Sequence, residues 1–193
     1  MVAALRTSSP SIIIGKTKRM SLDRFRQWQP RDGWKYDWND GETLKYKKMV
    51  SEKQRFIVQN LLDTFYALGL NKIGGLLPEA EMSYGNNRYR VPDVAFYTRE
   101  QTKAAASGEH TIAKFIIEIL SDYDYNLNIE NKLWEYFENG VEVVWHIMPS
   151  HKLVKVYTSP RKVSILMEEE ICSAKPALTD FEITVNQIFE LKD

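Results

Sequence analysis

A single cysteine, Cys172, is all the thiol chemistry in these 193 residues. An internal disulfide is therefore excluded, and a reducing cytoplasm is the compartment the chain fits. Cys172 lies in a polar, proline-flanked segment without an evident histidine partner and reads as inert. No apolar run approaches the roughly 18 residues that a membrane span requires, and the isoleucines at 12–14 are too few for a signal-peptide core. Net charge is missing as well. With 26 Lys/Arg against 26 Asp/Glu, no overall field draws nucleic acid to the chain. There is no G-x-S-x-G elbow for a serine hydrolase and no glycine-rich phosphate loop ahead of a helix. His146 and His151 lack thiolate or glutamate companions at metal spacing, which argues against zinc. Residues 1–20 contain no acid and few structure signals, so an unstructured tail is expected there. Without internal repeats or a Gly/Ser linker, one domain is expected over 21–193.

What is present suffices for a core: 44% of the residues are hydrophobic and 12% aromatic. The charges are unevenly spread. Residues 1–55 carry 13 Lys/Arg against 6 Asp/Glu, leaving 13 against 20 for the rest. A basic face over an acidic pocket suits a metal-dependent nuclease; a solvated basic tail on an ordinary domain is the plainer alternative. Ser21 can cap a short helix with Leu22, Phe25 and Trp28, stopped by Pro30. WKYDW and TLKYKKM flank Asn39-Asp40-Gly41, the turn chemistry of a hairpin. Ser51 and Gln54 form a capping box before the apolar helical face of Phe56, Ile57, Leu61 and Phe65, and Gly69 is a natural stop. Gly74-Gly75 opens a strand through LLPEAEMSY, and Gly85-Asn86-Asn87 turns the chain into RYRVPDVAFY. A short helix around 100–106 precedes the strand FIIEIL. A second long helix starts at Asn126 or Asn128 and ends at Gly140. VEVVWHIMP and KLVKVYTSP pair as a hairpin, KVSILMEEE follows as a strand, and DFEITVNQIFEL closes the chain as strand or helix.

Three residues in this order carry chemistry. In RYRVPDVAFY the period-two rule puts Asp93 on one face with Tyr89, Val91, Ala95 and Tyr97. Pro92 beside it cannot donate a ladder hydrogen bond, so the strand is locally unpaired or bulged at the acid. FIIEIL reads as buried on both faces, where the carboxylate of Glu118 is costly unless a cation or hydrogen-bond donors meet it. Lys132 falls on the flank of the apolar face of Ile129, Leu133, Tyr136 and Phe137, and its stem can run along the core to the sheet edge. Two acids 25 positions apart and a base 14 further on make a candidate divalent-metal hydrolase site. The alternative keeps Glu118 and Lys132 as a core salt bridge and Asp93 as a turn former. Glu52 reads first as a charge favoured by the helix N-terminus; second, with Glu81, it is an auxiliary acid of the site.

The PD dipeptide, IIEILS and N-K-L-x-E-Y-F-x-x-G-V-x-V-V-W-x-I-x-P together resemble the Uma-type restriction endonuclease family of the PD-(D/E)XK nuclease superfamily, over roughly residues 22–190. The resemblance implies an α/β (α+β) fold: a restriction endonuclease-like mixed central β-sheet flanked by helices, with an N-terminal hairpin and C-terminal strands. It makes Asp93 and Glu118 the Mg²⁺ ligands, with Mn²⁺ as a substitute. Leu120 stands where the superfamily motif has its lysine, and the resemblance supplies the amine from the next helix, at Lys132. Relatives often carry an acid four positions before that lysine; here it is Asn128. The function implied is a Mg²⁺-dependent endonuclease hydrolysing phosphodiester bonds of nucleic acid, with DNA as the expected partner, working as a homodimer in the cytoplasm. The competing expectations are a non-catalytic nucleic-acid-binding or interaction protein that retains the fold, and a hydrolase of small phosphodiesters.

Overall fold

The computed structural model describes residues 15–29, 34–47, 55–84, 88–120 and 126–192. The capping box at Ser51 and Gln54, Glu52, and the turn at Gly85-Asn86-Asn87 lie outside the described residues. The chain begins with β1 (Gly15–Arg19) and α1 (Leu22–Gln27). The Ser21 hydroxyl caps α1 by accepting from the Arg24 N–H. Next come β2 (Trp34–Asn39) and β3 (Glu42–Lys47), joined through Asp40 and Gly41 at φ 48° and 83°, the left-handed pair that a two-residue hairpin turn demands. α2 (Arg55–Ala67) leads to β4 (Gly74–Pro78), β5 (Met82–Tyr84), β6 (Arg88–Arg90) and β7 (Val94–Thr98). Thr98 and Gln101 form a capping box at the start of α3 (Arg99–Ala106). β8 (Phe115–Ile119), α4 (Asn126–Glu138), β9 (Val143–Met148), β10 (Leu153–Ser159) and β11 (Lys162–Met167) follow, and β12 (Ile171–Ser173), β13 (Glu182–Thr184) and α5 (Val185–Phe189) close the chain.

The central sheet has six strands in the order β11-β10-β9-β8-β7-β4. Only β8 and β9 pair in parallel, in the register Phe115↔Val143 to Ile119↔Ile147; the other pairings are antiparallel. Every residue of β8 is buried, as its unbroken apolar run requires of a strand covered on both faces. One face packs Phe115, Ile117 and Ile119 with Ile57, Leu61 and Phe65 of α2. The other packs Ile116, Ala95 and Val144 with Leu133 and Tyr136 of α4. The mixed sheet flanked by helices matches the fold read from the sequence. Among the described residues no helix is long and apolar enough to cross a membrane.

A second sheet of five strands, β1-β3-β2-β6-β5, has its own cluster of Phe25, Tyr36, Trp38 and Tyr89. It corrects three sequence readings. LLPEAEMSY is two strands, β4 in the central sheet and β5 in the second, parted at Glu79 with φ 51°. RYRVPDVAFY likewise divides into β6 and β7, because Pro92 has no N–H to continue a ladder. Besides its passage through α2 from β3 to β4, the chain thus crosses between the sheets at two neighbouring points, tied by the Glu79 N–H donating to the Asp93 carbonyl at 3.0 Å. Residues 15–19, expected as tail, form β1 on the edge of β3. The Thr43 hydroxyl donates to the Lys18 carbonyl and accepts from its N–H, and the Trp38 indole donates to the Met20 carbonyl at 2.8 Å. Hydrogen bonds to the backbone of this kind need no apolar sequence pattern.

Candidate active site

Glu118 sits in β8 with 7% of its surface exposed. By the alternation of a strand its side chain takes the face of Ile116, toward α4. Lys132 and Tyr136 stand one turn apart on α4, which brings both to the same carboxylate. The Tyr136 hydroxyl donates to Glu118 Oε1 at 2.5 Å, and the Lys132 ammonium lies 3.9 Å from that oxygen. Burial first, and the charge of Glu118 second, push the Tyr136 phenol far above its ordinary range. It therefore remains a neutral donor that fixes the carboxylate.

Asp93 is the residue immediately before β7. The register of β7 and β8 pairs Val94 with Ile117, and one step further sets Asp93 opposite Glu118. Its carboxylate Oδ2 accepts from the Ile119 N–H at 2.8 Å, so a side chain takes over the ladder where the two strands part. Asp93 also borders a pocket of about 260 Å³ with Arg55, Gln59, Pro78 and Glu79. The register thus sets the two acids opposite one another, the Asp93 carboxylate bonded to the N–H of the residue after Glu118, and the ammonium of Lys132 lies near Glu118. Glu81 is elsewhere: it is exposed and hydrogen-bonded to Tyr89.

The sequence reading missed Asp37, Arg90 and Glu135. Asp37 of β2 is 1% exposed, and its Oδ2 lies 3.4 Å from the Lys132 ammonium and 4.0 Å from Arg90 Nε. The Arg90 guanidinium donates through Nε and Nη2 to Glu135 Oε2, at 3.0 and 2.6 Å, and through Nη1 to the carbonyls of Trp38 and Tyr89. Burial opposes its charge, but Asp37 and Glu135 outweigh burial and raise its pKa further. Arg88 adds a contact to Glu135 at 3.4 Å. The one local signal was an acid within the aromatic run WKYDW; such a residue, once buried, demands a cation. Beside this network the Tyr84 hydroxyl is buried and has no hydrogen-bond partner among the described residues. Burial pushes its phenol up, and the charges of Arg90, Glu135, Asp37 and Glu118 all act on it. A buried orphan hydroxyl in a charged site calls for water, which the hydration shell of a hard cation would supply.

The donor set separates the metals. Among the described residues no group of three or more His, Cys, Asp and Glu side chains is arranged to hold an ion, as a protein-caged zinc would need. Mg²⁺ needs less: one or two carboxylates, with water and substrate phosphate completing an octahedron. Asp93 and Glu118, set opposite one another by the register of β7 and β8, are the two carboxylates that would serve. His146 pairs with Glu118 across β8 and β9. Burial, with help from Lys155 and Lys132, lowers its pKa to about 4.

Residues 22–186 match the family model of Uma2, described as "Putative restriction endonuclease". The chain belongs to the Uma2 family. The match spans both sheets from α1 onward, so Asp37, Arg90, Asp93, Glu118 and Lys132 all fall within it. Among solved structures, the fold is similar to that of a "putative nuclease belonging to DUF820" from Anabaena variabilis ATCC 29413, with a TM-score of 0.73 and 17% identity over 88% of this chain and 97% of the other. A search of curated proteins gives no match.

Proposed function

We propose that this Uma2 chain is a Mg²⁺-dependent endonuclease that hydrolyses phosphodiester bonds of nucleic acid, DNA being the expected substrate. The observation that supports this reading is the buried Glu118, met by Tyr136 at 2.5 Å and by Lys132 at 3.9 Å, with Asp93 opposite it where β7 and β8 part. Asp93 and Glu118 would hold the ion, which when bound polarises a phosphoryl oxygen and lowers the pKa of a coordinated water. The chain's own groups do the rest. Tyr136 orients Glu118, and the Ile119 N–H orients Asp93. The Lys132 ammonium, on a flexible stem, stabilises the charge that develops on the phosphoryl oxygens as the water attacks in line. Cutting both strands of a duplex calls for two such centres, hence a homodimer. The single buried cysteine suits work in a reducing cytoplasm.

Plasmid and oligonucleotide cleavage with Mg²⁺, Mn²⁺ and EDTA tests the reading. Cleavage by the wild type should require Mg²⁺ or Mn²⁺ and stop in EDTA. Glu118→Gln should abolish both cleavage and the rise in Tm on adding Mn²⁺. Lys132→Ala should keep the Tm response and lose at least about 10²-fold in rate. DNA affinity should fall far less, because phosphate contacts are shared among several cations. A wild type that binds DNA without cutting it under any metal condition would instead favour the non-catalytic binding protein. Turnover of a chromogenic diester without DNA binding would favour the small-phosphodiester hydrolase.

A further inference from the structure

Lys132 serves two acids in this structure, and the nearer one belongs to a different sheet. Its ammonium is 3.4 Å from Asp37 of β2 and 3.9 Å from Glu118 of β8. The Asp37 side chain is 2% exposed and the Lys132 side chain 22%, so the aspartate is the fixed member and the lysine has a route to solvent. Asp37 is held in turn: Arg90 approaches it at 4.0 Å and is itself clamped by Glu135 and two backbone carbonyls. A divalent cation beside Glu118 repels an ammonium at that distance and frees a flexible four-carbon stem to swing outward.

We propose that Asp37 is the positioning residue for Lys132, holding the ammonium in the site when a divalent cation takes its place beside Glu118. The inference rests on the metal-site reading above. It gives the second sheet a part in the chemistry: β2 carries the counter-charge that lets lysine and metal share one pocket. Asp37 lies nearer to Lys132 than Glu118 does, so its pull acts first on the ammonium. Without the aspartate the ammonium falls back on Glu118 and competes with the metal.

Calorimetric titration of the full chain with Mn²⁺ alone, in a double-mutant cycle, tests this. Asp37→Asn should weaken Mn²⁺ binding about tenfold. In the Lys132→Ala background, which binds Mn²⁺ at least as tightly as wild type, the same substitution should change affinity by less than about twofold. Equal loss in both backgrounds would overturn the proposal, because Asp37 would then act on the ion directly or through the fold. If Asp37→Asn does not fold, Asp37→Glu keeps the charge and must keep both fold and Mn²⁺ affinity; failure of that variant in either respect also overturns it. Glu118→Gln separates the two readings. A wild type whose Mn²⁺ binding is unaffected by Glu118→Gln sinks the metal site and this inference together, whereas a Glu118-dependent site with a flat cycle sinks only the role of Asp37.

Discussion

At the scale of single residues, the imidazole of His146 shows what burial near the site does to a titratable group. It is 3% exposed, lies 5.0 Å from the Tyr157 ring and pairs with Glu118 across β8 and β9. Burial, then Lys155 and Lys132, lowers its pKa to about 4, so at neutral pH it adds no positive charge beside the lysine. The sign of the linkage follows. In the unfolded chain a histidine takes its proton near pH 6.5, while the folded chain refuses it until about 4. Stability is thus fully present above the unfolded value and is lost as pH falls from about 6.5 toward 4, by on the order of 3 kcal/mol. Urea denaturation at pH 7 and pH 4.5 checks this. The wild type should lose more stability between the two than His146→Gln, which has no proton to gain. Parallel losses would mean that the ring accepts its proton in the folded state.

Single elements of this fold depend on close backbone approaches, and β4 is the clearest case. A Cβ on Gly74 would stand 2.3 Å from the Tyr97 carbonyl oxygen and 2.7 Å from the Phe96 ring; a Cβ on Gly75 would meet only the flexible Leu77 side chain at 3.0 Å. Gly74→Ala should therefore cost about 1–3 kcal/mol by forcing β4 off β7, and Gly75→Ala should cost less than about 1 kcal/mol. Equal midpoint shifts for the two in denaturant titration would contradict the difference in space. Elements of this kind were legible in the sequence because their signals are local. Asn39-Asp40-Gly41 specified the hairpin of β2 and β3, and FIIEIL its own burial. The division of RYRVPDVAFY between two sheets was not legible, since alternation continues through Val91 and Asp93 whichever sheet each half joins. Asp93, Glu118 and Lys132 were singled out by chemistry and motif. Asp37, Arg90 and Glu135 were not, because their partners are remote: Arg90 and Glu135 are 45 positions apart, and no sequence period links residues so distant.

Across the whole molecule, those remote pairs connect two sheets whose shared apolar contact is made by Met82 and Tyr84 of β5, which pack with Leu133 and Tyr136 of α4. The second sheet's own cluster is Phe25, Tyr36, Trp38 and Tyr89, too small to hold five strands in place by itself. Beyond the chain crossings and the packing of Met82 and Tyr84, the sheet is fastened to α4 by the Arg90–Glu135 pair and by Lys132–Asp37. Glu135→Ala removes the bidentate partner of a guanidinium whose side chain is 4% exposed. Breaking a buried ion pair costs up to about 3–5 kcal/mol; Asp37 and two carbonyls still meet the guanidinium, and the cost should fall on the second sheet first. Hydrogen exchange read by mass spectrometry is the direct test. In Glu135→Ala the amides of β2, β3 and β6 should exchange faster, while those of β8 and β9, whose protection rests on the packing of Ile57, Leu61, Phe115 and Trp145, should keep the wild-type rate. Uniform acceleration in both sheets would show that the molecule opens as one unit and that the charged network is not what joins its two parts.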